Sequence, residues 1–170
     1  MDNILIINCG GTFSKSYEPL TGNLIIKNNN KNIRKTLKKF FIGNKKLYKI
    51  KGLIYKDSLD MDDKDREELK EFILSQKEEK ILVIHGTDTI DKTALYLQKS
   101  IIKANKLVVL LGSMEPLSIS PAEACINIGC AYGYALASSE IGVYISMNGI
   151  VQKPENIKKN RELGYFQWQK

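Results

Sequence analysis

Two stretches of the chain carry residue types suited to chemistry. "ILIINCGGTF" ends an apolar run in Gly10-Gly11-Thr12, and "KILVIHGTDT" ends another in Gly86-Thr87-Asp88. Glycines permit a tight turn and close backbone approach, which leaves the Thr12 hydroxyl and nearby N–H groups facing a cleft. Taken singly, Thr12 and Thr87 read as turn or capping threonines, and Asp88 as the cap of a helix starting near Thr89. Lys106 alone reads as a solvated lysine. His85 is the only imidazole, with no second histidine or cysteine pair beside it, so no metal site is expected. At the end of a buried strand, it reads as a hydrogen-bonded structural residue.

The elements that must position these residues follow from hydrophobic spacing. Short apolar runs predict strands at 3–8, 47–55, 80–85, 106–111 and 142–147. Three of them are nearly all apolar, as parallel strands covered on both faces require. Amphipathic stretches predict helices at 31–42, 62–77, 89–104 and 121–139. The second opens on "DMDDKDREEL", acids in a first turn that complement the helix dipole. The fourth opens with Ser120 as N-cap, Pro121 at the first helical position and Glu123 placed for a capping box. Asn148-Gly149 signals a hairpin turn. The alternation predicts an α/β fold, a three-layer α/β/α sandwich around a mainly parallel, flavodoxin- or Rossmann-like sheet, in one domain over 1–170. Ligands of such sheets bind beyond the carboxyl ends of the strands. Both Gly-Thr stretches fall there, together with "KDSLDM" and "GSMEP".

Composition narrows the partners. The chain has 170 residues and a net charge of +7, but from Lys27 to Lys51 it holds ten Lys or Arg and no Asp or Glu. "NIRKTLKKFFI" puts Ile33, Leu37, Phe40 and Phe41 on one face with lysines opposite, which describes a solvated surface helix rather than a nucleic-acid contact. No apolar run approaches a membrane-spanning length, and Met1-Asp2-Asn3 is not a basic leader. Cys9, Cys125 and Cys130 form neither a disulfide framework nor a metal spacing. These features predict a cytoplasmic protein without membrane or nucleic-acid partners.

"INCGGTFSKSYEPLTGNL", "KDSLDM", "VIHGTDTIDKTALYL" and "NKLVVLLGSMEPLSISPAEACINIG" occur in the order and approximate spacing of the L-asparaginase family. The chain resembles that family's amino-terminal domain through essentially its whole length, ending near "VQKPENIKKNRELGYF". The family's carboxy-terminal domain is not matched, so the chain is similar to a short, single-domain asparaginase. The resemblance implies hydrolysis of L-asparagine to L-aspartate and ammonia through a threonine-bound acyl intermediate, with no metal or organic cofactor. It implies Thr12 as nucleophile and Tyr17, in the mobile loop "SKSYEPLTG", as the tyrosine that helps activate it. Thr87, Asp88 and Lys106 match the second catalytic group. Ser58 and Asp88 match residues that hold the substrate's α-carboxylate and α-ammonium, with Gly11, Gly86 and Thr87 beside them. A threonine hydroxyl needs a nearby proton acceptor, and a Lys106 buried between Thr87 and Asp88 would relay a proton.

The sequence departs from the family at Leu59, at Glu115 where an arginine is common, and at Glu123-Ala124 in place of Asp-Gly. The acid that two-domain relatives take from a neighbour's second domain has no source here. A small domain with open rim loops predicts a homo-oligomer, most simply a homodimer, with helix 121–139 as a candidate contact if Tyr132 and Tyr134 cannot both face one core. Three rivals stand beside asparagine hydrolysis. One is a glutaminase or other amidase. Another is the ammonia-supplying subunit of a tRNA amidotransferase. The third is a non-catalytic amino-acid-binding module.

Overall fold

The apolar runs of the sequence become the strands of one sheet. The computed structural model describes residues 4–40 and 48–168; Phe41 and the ends of helix 31–42 and of strands 3–8 and 47–55 that lie at 41–42, 3 and 47 fall outside them. The strands are β1 (Ile4–Gly10), β2 (Lys15–Glu18), β3 (Asn23–Ile26), β4 (Tyr48–Lys56), β5 (Lys80–Ile84), β6 (Leu107–Leu111), β7 (Gly142–Met147), β8 (Ile150–Gln152), β9 (Ile157–Asn160) and β10 (Tyr165–Trp168). The helices are α1 (Lys31–Phe40), α2 (Asp63–Ser75), α3 (Ile90–Lys103) and α4 (Pro121–Ala137).

The main sheet runs β4-β1-β5-β6-β7-β8. The first five strands pair in parallel, and β8 returns antiparallel to β7. That return is the expected hairpin: Asn148 and Gly149 both have positive φ, 52° and 74°, as a type I′ turn demands. Numbered among themselves in chain order, the parallel strands lie 2-1-3-4-5. This is the flavodoxin-like order, and its switch point lies between β1 and β5.

Alternate side chains fill two cores, because successive residues of a strand point to opposite faces. Ile4, Ile6, Leu82, Ile84, Val109 and Leu111 pack against Ile33 and Leu37 of α1 and Ala124, Ile128 and Ala131 of α4. Leu5, Ile7, Ile81, Val83, Val108 and Leu110 pack against Leu69 and Ile73 of α2 and Ala94, Leu97 and Ile101 of α3. Each such Leu or Ile contributes about 1.5–3 kcal/mol by leaving water. This stiff sheet is what holds the rim loops in place.

Several sequence expectations change at this level. Tyr132 and Tyr134 both pack on the core beneath α4, Tyr134 with its ring 5.0 Å from that of Tyr144. The two need not face opposite sides, because Tyr134 lies beside the sheet's last long strand and stays partly buried there. Ser120 precedes α4 without a side-chain cap. Glu123 turns back instead, its Oε2 accepting from the N–H of Met114 at 2.8 Å and of Glu115 at 3.3 Å. The capping box expected at α4 is therefore absent, and one that was not expected forms in α2, where Asp62 accepts from Lys64 and Asp65 and Asp65 accepts from the Asp62 N–H. The stretch expected as a loop around Tyr17 is the β2–β3 hairpin. A second hairpin, β9–β10, follows the sheet.

Candidate active site

β1 and β5 are neighbours whose carboxyl ends release the two Gly-Thr turns side by side. The turns touch. A Cβ placed on Gly11, at φ 70°, would lie 2.3 Å from the Gly86 Cα, and one on Gly86 would lie 2.5 Å from Ser58 Oγ. Glycine is therefore required at both positions by space, and at Gly11 by conformation as well. Gly112, at the end of β6, closes the cluster: its Cβ would meet Thr87 Cγ2 at 3.1 Å. The loops after β1, β4, β5 and β6 thus converge at the switch point.

Thr12 opens a turn of 3-10 helix, Thr12–Ser14, and is half-buried. The turn is braced by Asn8, a fully buried polar residue inside β1. Its Oδ1 accepts from the Gly10 N–H at 3.0 Å and from Ser14 Oγ at 2.8 Å, and its Nδ2 donates to Asn30 Oδ1 at 2.9 Å. The Gly11 N–H is bound to the Lys56 carbonyl at 2.8 Å. The hydroxyl at position 12 thus sits on a fixed turn.

Thr87 is almost fully buried, and Asp88 is half-buried. Ser58 Oγ accepts from the Asp88 N–H at 3.2 Å, and the Ser58 carbonyl accepts from Thr89 Oγ1 at 2.8 Å. Ser58 is wholly buried, so it ties the β4 loop to the β5 loop with a hydroxyl directed at backbone. Asp88 does not cap α3, whose N-cap is Thr89 without a side-chain bond. The carboxylate instead meets two cations of the β9–β10 hairpin. Lys159 Nζ donates to Thr87 Oγ1 and to Asp88 Oδ1, each at 2.9 Å, and its side chain is 13% exposed. Arg161 reaches the same carboxylate.

Lys106 is elsewhere. It precedes β6, so it lies at the amino end of the sheet, where its Nζ donates to the carbonyls of Gln76 at 2.7 Å and Glu78 at 2.9 Å. All five parallel strands point toward the rim, and a five-residue strand at about 3.3 Å per residue separates Lys106 from it by roughly 16 Å. Lys159 stands where the sequence reading put Lys106. Lys159, Arg161 and Asn8 were all missed. The signal for the first two was "KKNRELGYFQW", a strand-turn-strand pattern with Asn160 and Gly164 as turn residues. Asn160 Oδ1 indeed accepts from the N–H of Glu162 and Leu163, and Gly164 has φ 72°.

Tyr17 stands on β2 with 57% exposure and its hydroxyl unbonded, beside a cavity of about 280 Å³ between the hairpin and the start of α1. Lys15 clamps that hairpin to the β4 loop through Asp57 at 2.7 Å, and Ser118 Oγ donates to the Lys15 carbonyl at 2.9 Å. Burial would raise the Asp57 carboxyl, but Lys15 and the Leu59 N–H outweigh it and hold it below the usual carboxylate range. Leu59 and Glu115 are both exposed on their rim loops.

His85 is fully buried beneath the turn, its Nδ1 2.8 Å from the Gly86 carbonyl. A carbonyl only accepts, so Nδ1 carries the proton, and Nε2 has no partner. Burial is the main reason its pKa falls to about 4, which makes the ring neutral at pH 7. Among the described residues, no three His, Cys, Asp or Glu side chains are placed to hold a metal ion. No helix among them is long and apolar enough to cross a membrane.

Comparison with known proteins bears on the fold and the family. The chain is 34% identical over 83 residues to a glutaminase-asparaginase of Acinetobacter glutaminasificans, a match covering 46% of this chain and 24% of that protein. It is 33% identical over 85 residues to L-asparaginase 2 of Escherichia coli, covering 49% and 24%. The thermostable L-asparaginase from Thermococcus kodakarensis superposes with a TM-score of 0.80 at 21% identity, over 98% of this chain and 51% of that one. A probable cytoplasmic L-asparaginase from Campylobacter jejuni gives 0.78 at 22% identity, over 99% and 53%. The chain thus spans about half the length of these solved structures. The family model described as "Asparaginase, N-terminal" matches residues 3–165, and the chain therefore belongs to the asparaginase family, as a domain of its amino-terminal kind.

Proposed function

We propose that the protein hydrolyses L-asparagine to L-aspartate and ammonia, with Thr12 as nucleophile. The observation that carries this reading is the Lys159 ammonium bridging Thr87 and Asp88 in a turn that touches the Thr12 turn. Thr12 Oγ attacks the side-chain amide carbon, and the C–N bond breaks. The hydroxyl proton leaves with the amine as ammonia. Water then adds to the acyl carbon, the bond from that carbon to Thr12 Oγ breaks to release the acid, and a proton from the water passes to Thr12 Oγ. Thr87 is the second hydroxyl, and Lys159, held by Asp88, passes protons to and from it. N–H groups of the two glycine turns stabilise the developing oxyanion. Tyr17 reaches Thr12 when the β2–β3 hairpin bends inward.

The names of the relatives include both asparaginase and glutaminase-asparaginase. The assay therefore sets L-asparagine and L-glutamine side by side. Ammonia release from asparagine by the purified protein, absent from a folded Thr12→Ala variant, is the expected result. Near-normal release by that variant removes Thr12 from the role.

A homo-oligomer completes the proposal. Tyr17 and Leu59, 57% and 67% exposed, stand on rim loops that a second copy would cover. Excluding water strengthens every charge contact in the site. Sedimentation at assay concentration tests it, and a fully active monomer overturns it. The cytoplasmic reading is supported by three free thiols, Cys9, Cys125 and Cys130. Fractionation of the source cells tests it.

A further inference from the structure

The turn between β9 and β10 brings a second cation to Asp88. Arg161 Nη1 donates to Asp88 Oδ1 and Nη2 donates to the Asp88 carbonyl, both at 2.9 Å. Lys159 donates to the same Oδ1. Two cations on one carboxylate leave this trio one positive charge in excess. An incoming ammonium finds only Oδ2 open and meets like charges on both sides. An incoming carboxylate finds the opposite. Of the five N–H donors of a guanidinium, Asp88 engages two, and the Arg161 side chain is 61% exposed. The planar fork is shaped for a carboxylate.

The turn that carries Arg161 is fixed at both ends. Asn160 Oδ1 holds the N–H groups of Glu162 and Leu163, and Asn148 Oδ1, in the β7–β8 turn, accepts from the Phe166 N–H at 2.9 Å. An ordinary surface ion pair would contribute little and serve no ligand. Arg161 differs in gripping both the side chain and the main chain of one residue, at the centre of the converging loops.

We propose that Arg161 sets the specificity of this site: it neutralises Asp88 and offers its free N–H groups to a substrate carboxylate. The site then takes ω-amides of dicarboxylic acids without requiring an α-ammonium group. This rests on the amidohydrolase reading for the reacting amide, but the recognition of the acid can be tested without turnover.

The experiment compares succinate and L-aspartate binding by calorimetry, and ammonia release from succinamate and L-asparagine, for the full chain and for Arg161→Gln and Arg161→Lys. Succinate should bind within about threefold of aspartate, and Arg161→Gln should shift the ratio toward aspartate by about tenfold or more. Arg161→Lys, which keeps the charge but loses the fork, should fall between them. Preference for aspartate by about 100-fold in the unaltered protein, an unchanged ratio in Arg161→Gln, or binding of neither acid overturns the proposal. If succinate binding depends on Arg161 but no amide is hydrolysed, the hydrolase reading fails and the specificity assignment stands. If both amides are hydrolysed with the same ratio in every variant, the assignment fails and the hydrolase reading stands.

Discussion

Lys159 Nζ lies 2.9 Å from Thr87 Oγ1, though 72 residues separate the two in the chain. The contact makes Lys159 the only lysine bonded to the Gly-Thr turn after β5 among the described residues. Lys159→Met keeps the apolar stem and removes the proton carrier. Turnover of asparagine should fall on the order of 100-fold or more. Lys106→Met should leave the rate intact, since that residue binds two carbonyls at the amino end of the sheet, opposite the rim. It should instead lower stability by about 1 kcal/mol, as two partly buried carbonyls lose their donor. Rate assays paired with urea unfolding separate the two effects, and a Lys159→Met protein with unchanged turnover would falsify its place in the site.

The five parallel strands were legible as short apolar runs and the four helices from their apolar spacing, whereas β2, β3, β9 and β10, each four residues long and partly exposed, were not. The glycine turns were legible because Gly11 and Gly86 announce close backbone approach. What could not be read was the partner of Asp88. A strand passes side chains alternately to two faces, so Lys158 and Lys159 look alike in sequence while only the second turns inward. The place of Lys106 was legible: it opens the strand 106–111, ligands of such sheets bind beyond the carboxyl ends, and its amino-end position therefore sets it away from the cleft, against the role the family resemblance implied. Asn8 was invisible because its partners, Ser14 and Asn30, are joined to it only by the turn geometry.

Gly11 and Gly22 share φ 70° but differ in surroundings. A Cβ on Gly11 would strike the Gly86 backbone, whereas one on Gly22 meets nothing within 4 Å. Gly22→Ala should therefore cost about 1 kcal/mol, the left-handed penalty alone. Gly11→Ala should cost roughly 3 kcal/mol or more, because two backbones must separate, and it should abolish hydrolysis by moving both threonines. Equal unfolding midpoints for the two variants would mean that the turns are not in contact in solution.

His85 makes stability depend on acidity. Its folded pKa, about 4, lies below its ordinary value of 6.5. Between those values the unfolded chain takes up a proton that the folded protein refuses, so stability falls as pH drops from about 6.5 toward 4 and is fully present above that window. For a fully buried group with this shift, the loss is on the order of 3 kcal/mol. His85→Asn retains a donor for the Gly86 carbonyl and cannot titrate. Urea unfolding at pH 7, 5.5 and 4.5 should show a shallower acid decline in the variant, with the remaining slope set by the carboxylates. Parallel declines would assign the acid sensitivity to other groups.

The β2–β3 hairpin carries Tyr17 and is fastened at one end by Lys15 on Asp57. That pair is about a quarter exposed on each side, 25% and 27%. Its contribution to global stability is therefore screened and small, within about 1 kcal/mol. Its local effect is larger, because β2 and β3 bond only to each other as a two-stranded sheet, and an isolated hairpin is marginal in water. Lys15→Met should leave the unfolding midpoint almost unchanged while raising amide hydrogen exchange across 15–26. If Tyr17 must swing toward Thr12, release of the clamp also changes turnover, through the fraction of time the hairpin spends bent inward. Asp57→Asn should act in the same direction, and the unaltered protein should loosen likewise as pH falls through the lowered pKa of Asp57. Exchange in 15–26 that is indifferent to Lys15, Asp57 and pH would show that the contact of Ser118 with the Lys15 carbonyl is enough to hold the hairpin down.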